Sequence, residues 1–168
     1  MNFISFIFQD WKANSGNTKG RLVLFCFRIA NGCSKRSYLK YIGILYLVWY
    51  RFFVEWIMGI ELPWNLKAGK NLRLFHGQAL VINNNSVIGE NCVFRHSTTL
   101  GNSSATSGCP VIEDNVDVGA NVVIIGGIVV GRNTTIGAGS VITKSIPPNS
   151  IVVGNPARVI RTKEEDKV

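Results

Sequence analysis

A mainly β fold, a parallel β-helix with a small α-helical region at its N-terminus, is what this 168-residue sequence predicts. Three observations predict it. From Glu61 onward, aliphatic residues recur at every sixth position. Of 17 aromatic residues, 14 precede Glu61, and 12 of the 17 glycines lie at or after it. Charge divides at the same place: residues 1–60 carry 8 Lys/Arg against 2 Asp/Glu, and the remainder 10 against 8. Two kinds of chain meet near residue 60, and 168 residues suffice to bury a core in each.

The first 60 residues suit two helices, over about residues 19–34 and 38–59. In the second, Ile42, Leu45, Trp49, Phe52, Phe53 and Trp56 recur at three- and four-residue steps, the spacing of one helix face. Such a stripe reads as a cap packed on the rest of the chain or on another subunit. Combined with Lys12, Lys19, Arg21, Arg28, Lys35, Arg36, Lys40 and Arg51, it also reads as a surface resting on anionic lipid, a peripheral membrane contact through residues 1–60. The longest apolar run, residues 41–50, is half the length of a spanning helix, and the N-terminus has no secretory pattern. No groove-reading motif accompanies the basic charge, so nucleic acid is not an expected partner. Cys26, Cys33, Cys92 and Cys109 form no metal-like or disulfide-like spacing, which fits a reducing cytoplasm.

In residues 61–146 the inward positions are Ile112, Val118, Ile124, Val130, Ile136 and Ile142, preceded in phase by Ile82, Ile88, Phe94 and Leu100. Two positions before each of these, the unit carries a small or aliphatic residue, such as Ser86, Cys92, Thr98 or Ser140. A helix does not repeat at six, and a simple hairpin does not place glycine so regularly. Short strands separated by corners do. Three hexads make one triangular coil of about 18 residues, so the repeat predicts about five stacked coils. A polar stretch at 102–110 leaves the pattern as a loop. The aromatic helices are expected to cover the first coil, and Pro147-Pro148 to end the ladder before a tail at 147–168.

The two histidines of the sequence mark where this regularity is broken. Leu62, Ala68 and Leu74 keep the six-residue step, but the next inward position, Ile82, comes eight residues on. Two residues are inserted around His76-Gly77. From Leu74 to Phe94 is 20 residues, so His76 and His96, each two residues past its anchor, share a corner one coil apart. A histidine there is suited to take a proton from an attacking hydroxyl.

The stretches Leu74-Phe-His-Gly-Gln-Ala-Leu-Val-Ile-Asn83, Phe94-Arg-His-Ser-Thr-Thr-Leu-Gly-Asn102, Cys109-Pro-Val-Ile112, Gly137-Ala-Gly-Ser-Val-Ile142 and Val153-Gly-Asn-Pro-Ala-Arg-Val-Ile160 resemble the hexapeptide-repeat acyltransferases. The likeness is to the serine-acetyltransferase-like branch and its colanic-acid and capsular polysaccharide O-acetyltransferases. It implies a left-handed β-helix, a homotrimer with a cleft between subunits, and acetyl-CoA as donor. It also implies His76 as general base with Glu61 as its carboxylate partner, although Glu61 also reads as a solvated charge at the junction. A second carboxylate that the family carries directly before the histidine is replaced by Phe75. The basic residue and histidine that hold the carboxylate of serine in that family are Gly108 and Cys109 here.

Gly101-Asn102, Gly119-Ala120 and Gly137-Ala138 recur at steps of 18, so Gly101, Asn102, Ala120 and Ala138 are expected to form one column along which a pantetheine arm lies. That requires the 102–110 loop to take the place of one hexad. Lys144, Arg158 and Arg161 are candidates for the CoA phosphates, and His96, Arg95 and Cys109 for the acceptor. No metal is expected, because the zinc enzymes of this architecture need three histidines. The leading expectation is an acetyl-CoA-dependent O-acetyltransferase acting on a sugar hydroxyl of an exported polysaccharide or its lipid-linked precursor. Serine O-acetylation and a non-catalytic scaffold at a membrane surface are the alternatives.

Overall fold

Strands of two or three residues are stable only when stacked on their neighbours, and here the stack accounts for nearly all regular structure beyond residue 60. The computed structural model describes residues 2–35, 43–104 and 106–163. The first coil runs through β1 (Ile60–Glu61), β2 (Lys67–Ala68) and β3 (Arg73–Phe75), and the second through β4 (Leu80–Ile82), β5 (Val87–Ile88) and β6 (Val93–Arg95). The third contains β7 (Thr99–Gly101), β8 (Val111–Ile112) and β9 (Asp117–Val118), and the fourth β10 (Val123–Ile125), β11 (Val129–Val130) and β12 (Thr135–Ile136). The fifth has β13 (Val141–Ile142), a bridge from Ile146 to Val130, and β14 (Ser150–Val153); β15 (Arg158–Thr162) then turns back.

The first strands of the coils form one sheet, the second strands another and the third strands a third. Every pairing is parallel except β14 with β15. The fold is the expected left-handed β-helix of about five turns. Pro147-Pro148 does not end it: β14 and β15 extend the third sheet beyond the prolines, because neither proline lies in a paired strand.

The hexad rule places the core correctly. Ile82, Ile88, Phe94, Leu100, Ile112, Val118, Ile124, Val130, Ile136 and Ile142 are all buried. Where the small position is a hydroxyl, it too is buried, and Thr98 and Ser140 satisfy it by donating to the carbonyls of Gly119 and Gly137. Burial pushes the Cys92 thiol up to about 11, which makes it a packing residue. At the corner between the second and third sheets, Asn71, Asn91, Asn115, Asn133 and Asn149 stack, each with φ of 57–59°. Asparagine tolerates that left-handed geometry, and here the side-chain amides bond to one another in series at 2.9–3.1 Å.

The first coil has no strand beneath it, so its peptide groups need partners from elsewhere. Helix α2 (Thr18–Lys35), the turn that joins α1 (Phe3–Ile7) to it, and Tyr50 further on supply these as side chains. Arg28, fully buried, pairs with Asp10 at 2.6 Å and donates to the carbonyls of Ala68 and Gly69. Asp10 accepts from the Leu72 N–H; Asn14 donates to the Leu72 carbonyl and accepts from the Leu74 N–H. Asn17 donates to Leu74, Asn31 to Trp64 and Leu66, and the Tyr50 hydroxyl to Leu62. The expected cap is present, and Arg28 is a structural cation inside it rather than part of a lipid-facing surface.

The second predicted helix is α3 (Ile44–Tyr50) continuing into a π-helical segment (Arg51–Ile57); its predicted start, residues 38–42, lies outside the described residues. Leu47, Tyr50 and Val54 face the core, so the predicted stripe is largely the outward face: Leu45 is 80%, Phe52 52% and Trp56 74% exposed. Among the described residues no helix is long and apolar enough to cross a membrane.

Removing the Asp10 carboxylate leaves a buried guanidinium and the Leu72 N–H unpaired. Asp10→Ala is expected to lower stability by about 3–5 kcal/mol in a denaturant titration. Asp10→Asn, whose amide oxygen still accepts, is expected to lose less.

Candidate active site

His76 is placed by a local break in the coil. A regular corner takes six residues between inward positions, as from Phe94 to Leu100, whereas Leu74 to Ile82 takes eight. Pairing holds at Phe75 with Arg95 and resumes where the Ser97 N–H donates to the Gln78 carbonyl, so the two extra residues are His76 and Gly77. His76 has φ 66° and Gly77 φ 64°, and the Gly77 N–H donates to the Phe75 carbonyl at 2.8 Å. A three-residue turn whose central residue is left-handed is rare and strained. It throws His76 out of the prism, where it is exposed. Gly77 is required twice over: its φ is unfavourable for any side chain, and a Cβ would meet Ile60 Cδ1 at 3.1 Å.

His96 stands one coil further on. The two imidazole centroids are 5.9 Å apart at an interplanar angle of 75°, the stacked placement that counting predicts. His96 is half-buried, and its Nδ1 has no hydrogen-bond partner among the described residues. The same corner continues through Ala120 and Ala138: the Asn121 N–H donates to the His96 carbonyl, and the Gly139 N–H to the Ala120 carbonyl. A Cβ on Gly119 would lie 2.6 Å from the Ala138 nitrogen, so this edge admits no side chain at that point. From His96 to Ala138 is two coil steps, about 10 Å. Beyond Ala138 the Gly154–Ala157 turn folds over β13, and Lys144 and Arg158 line one cavity of about 260 Å³ with Ile142, Ile146 and Pro156. Arg161 lies on exposed β15, outside that lining.

Gly101 and Asn102 do not join this column. Gly101 pairs with Ile125, because the 102–110 loop is added to three complete hexads instead of replacing one; Leu100 to Ile124 is 24 residues. Gly101, Asn102 and the half-buried Cys109 therefore lie at the corner between the first and second sheets, on the opposite edge of the first sheet from His76. Glu61 is exposed on β1 and lines a cavity of about 360 Å³ with Arg51, Glu55, Trp64, Asn83 and Asn84. Among the described residues no hydrogen bond joins it to His76 within one copy. Glu55, in the same cavity, has its carboxyl pushed up by burial, against the pull of Arg51. Arg95 is occupied by the Asp117 carboxylate and the Val118 carbonyl.

Arg73 escapes a reading based on histidines and glycines, and Phe75, singled out there only for replacing a carboxylate, stands beside it. Arg73 and Phe75 alternate with inward Leu74 and so share the outer face of β3. Strand alternation about inward Leu74 would have placed both on one outer face.

Residues 109–144 match the family described as bacterial transferase hexapeptide (six repeats). WcaB of Escherichia coli K12, described as a colanic acid biosynthesis acetyltransferase, is 39% identical over 156 residues, which cover 90% of this chain and 96% of that protein. Among solved structures, the serine acetyltransferase of Brucella abortus in complex with coenzyme A superposes with a TM-score of 0.79 at 27% identity, over 96% of this chain and 68% of that one. The Neisseria gonorrhoeae serine acetyltransferase in complex with serine gives 0.77 at 29%, over 93% and 68%. A repeat that builds this prism, a histidine thrown out at one corner, and a relative matched along nearly its whole length lead to one conclusion: the chain belongs to the hexapeptide-repeat transferases and is an acyltransferase of their acetyltransferase branch.

Proposed function

We propose that the protein transfers an acetyl group from acetyl-CoA to a sugar hydroxyl in the synthesis of an exported polysaccharide, with His76 as general base. The observation that carries this reading is the strained turn that presents His76 at the head of an edge paved with small residues. His76 takes the proton of the acceptor hydroxyl as that oxygen attacks the thioester carbonyl. The imidazolium then returns the proton to the departing thiolate, which leaves ester and free thiol. Ala120 and Ala138 let an extended pantetheine arm lie against the backbone, and Lys144 and Arg158 meet its phosphates in the terminal cavity.

The acceptor side supports a sugar over free serine. Gly108 and Cys109 bring no cation to hold an amino acid's carboxylate. The relative named for colanic acid synthesis points the same way.

The proposal includes a homotrimer. The candidate residues separate onto two edges of the first sheet: His76, His96, Ala120 and Ala138 on one, and Gly101, Asn102 and Cys109 on the other, with Glu61 on the face between. A cyclic assembly sets one edge of each copy against the other edge of the next, so Glu61, Asn102 and Cys109 of a second copy would complete the site. The exposed aliphatic and aromatic face of α3 and the π-helical segment supports contact with a membrane bearing a lipid-linked acceptor, in a region with an excess of basic residues.

Thiol release with polymeric and lipid-linked glycans, set against free serine, tests the acceptor; full turnover on serine alone would overturn the sugar assignment. His76→Ala is expected to lower kcat by about 10²- to 10⁴-fold with little change in the KM for acetyl-CoA. Gly77→Ala, which shifts the base without removing it, is expected to cost on the order of 10²-fold. For the shared site, co-expressed His76→Ala and Glu61→Gln chains should recover activity that neither has alone. Activity that stays at the single-variant level would place both groups within one copy.

A further inference from the structure

Arg73 is the unexplained cation beside the proposed base. Its guanidinium makes no ion pair or hydrogen bond among the described residues, and its Nε is buried. A buried charged donor without a partner is costly, and such a group in a folded protein calls for an explanation. The side chain is held in place instead by an aromatic ring. The Arg73 guanidinium carbon lies 4.9 Å from the Phe75 ring centroid, and that of Arg95 lies 5.8 Å from the same ring. Asp117 neutralises Arg95 but not Arg73. Beside Arg73 is a cavity of about 360 Å³ whose lining includes Lys12, Asn71, Arg73 and Asn91; Lys12 and Arg73 are its charged groups. Arg73 opens β3 and His76 follows its last residue, Phe75, so the two lie within about 10 Å along the chain, a span of roughly two glycan units.

The outer face of the third sheet is also the polar one. It presents Arg73, Arg95, Asp117 and Thr135 among Phe75, Val93, Ile151 and Val153, whereas the first sheet presents Val81, Val123 and Val141 with Glu61 and Thr99, and the second Val87, Val111 and Val129 with Lys67. The valine faces suit contact with other copies, which leaves the third sheet open to an acceptor.

We propose that Arg73 and Lys12, with Phe75 fixing the arginine, form an acceptor subsite for a sugar unit bearing an anion, either a carboxylate or a phosphate. This rests on the sugar-acceptor reading above and adds to it the chemistry of a unit near the acetylated one. Arg73 is a specificity residue here, and Phe75 positions it. The guanidinium offers paired donors to an anion, Lys12 adds a mobile charge, and the exposed Asn71–Asn91 amides at the rim suit sugar hydroxyls.

Direct binding to the full-length protein tests this without relying on turnover. The probes are tetragalacturonate, the same oligosaccharide with its carboxyls reduced, and glucose 1-phosphate. The wild type is expected to prefer a charged probe, tetragalacturonate or glucose 1-phosphate according to the natural anion. Arg73→Ala should weaken that probe about tenfold and leave the reduced one within about twofold. Arg73→Lys should restore part of the preference, with the thermal midpoint unchanged across the series. Equal weakening of charged and reduced probes by Arg73→Ala would show a packing role and overturn the subsite, as would a wild type that makes no distinction. Glycan turnover with no charge preference removes the subsite and leaves the acetyltransferase reading standing. A charge preference without turnover of any glycan overturns the acetyltransferase reading and leaves only an anion-binding face at Arg73.

Discussion

The hydrogen bonds along the lower rim of the first coil are the constraint on which the rest of the solenoid depends. Every later coil finds its partners in the coil before it, but the first would expose a row of buried peptide groups and a template for strand addition. Asn14 answers this in the manner of a peptide unit, one amide both donating to Leu72 and accepting from Leu74. Asp10 and Arg28 extend the same rung toward Leu72, Ala68 and Gly69, and Asn31 and Tyr50 close it near Leu66 and Leu62. A rung made of side chains stops where it is, because it offers no free backbone edge for another strand. Its effect reaches the chemistry directly. Asn17 binds the Leu74 carbonyl, two residues from His76, so the cap fixes the strand that carries Arg73 and leads into His76.

Strain at His76 can persist because the chain is locked on either side. Before it, Arg73, Leu74 and Phe75 pair with Val93, Phe94 and Arg95. After it, Val81 and Ile82 pair with Thr99 and Leu100, and Ala79 donates to the Gly59 carbonyl. The left-handed pair His76-Gly77 has no freedom to relax without breaking one of these ladders, a pattern common at sites where geometry serves function. The other corners divide the remaining work. Asparagines bonded in series hold one edge rigid, and the polar loop occupies another, so only the edge carrying the histidines combines a small-residue surface with a reactive group.

Much of this was legible in the sequence because a six-residue period maps one-to-one onto a prism. The inward residues, the two-residue insertion and the stacking of His76 on His96 all follow from counting. Counting fails where a segment leaves the lattice. Nothing in Asn102–Pro110 says whether it replaces a hexad or is added to three of them, and the addition moves Gly101 and Asn102 to another edge. Composition fails for a related reason. Arg28 looks like its neighbours Lys19 and Arg21 in sequence, and its partners, Asp10 and two carbonyls some forty residues away, exist only after the helices dock. The outward stripe on α3 is similar: periodicity identifies a face, but only packing decides which way it points.

The excess of eight positive charges is unchanged by ion pairing, but the pairs show which cations are already answered. Arg28 is spent inside the cap, Arg95 on Asp117, Arg51 on Glu55 and Lys70 on Glu90. The exposed pairs among these contribute little stability and a near-zero local field. On the outer face of β3, leading to the proposed base, the cations that no carboxylate answers are Lys12 and Arg73, which share one cavity with Asn71, Asn91 and Val93. Where serine acetyltransferases place a carboxylate before the histidine, this chain has an aromatic ring with two guanidinium groups over it. The local sign before His76 is therefore reversed. On the proposed reading, a protein that keeps the base and reverses the charge around it changes what it accepts without changing how it reacts. The proposed choice of acceptor then rests on the outer face of β3 and the first turn beneath it, not on the net charge of the molecule.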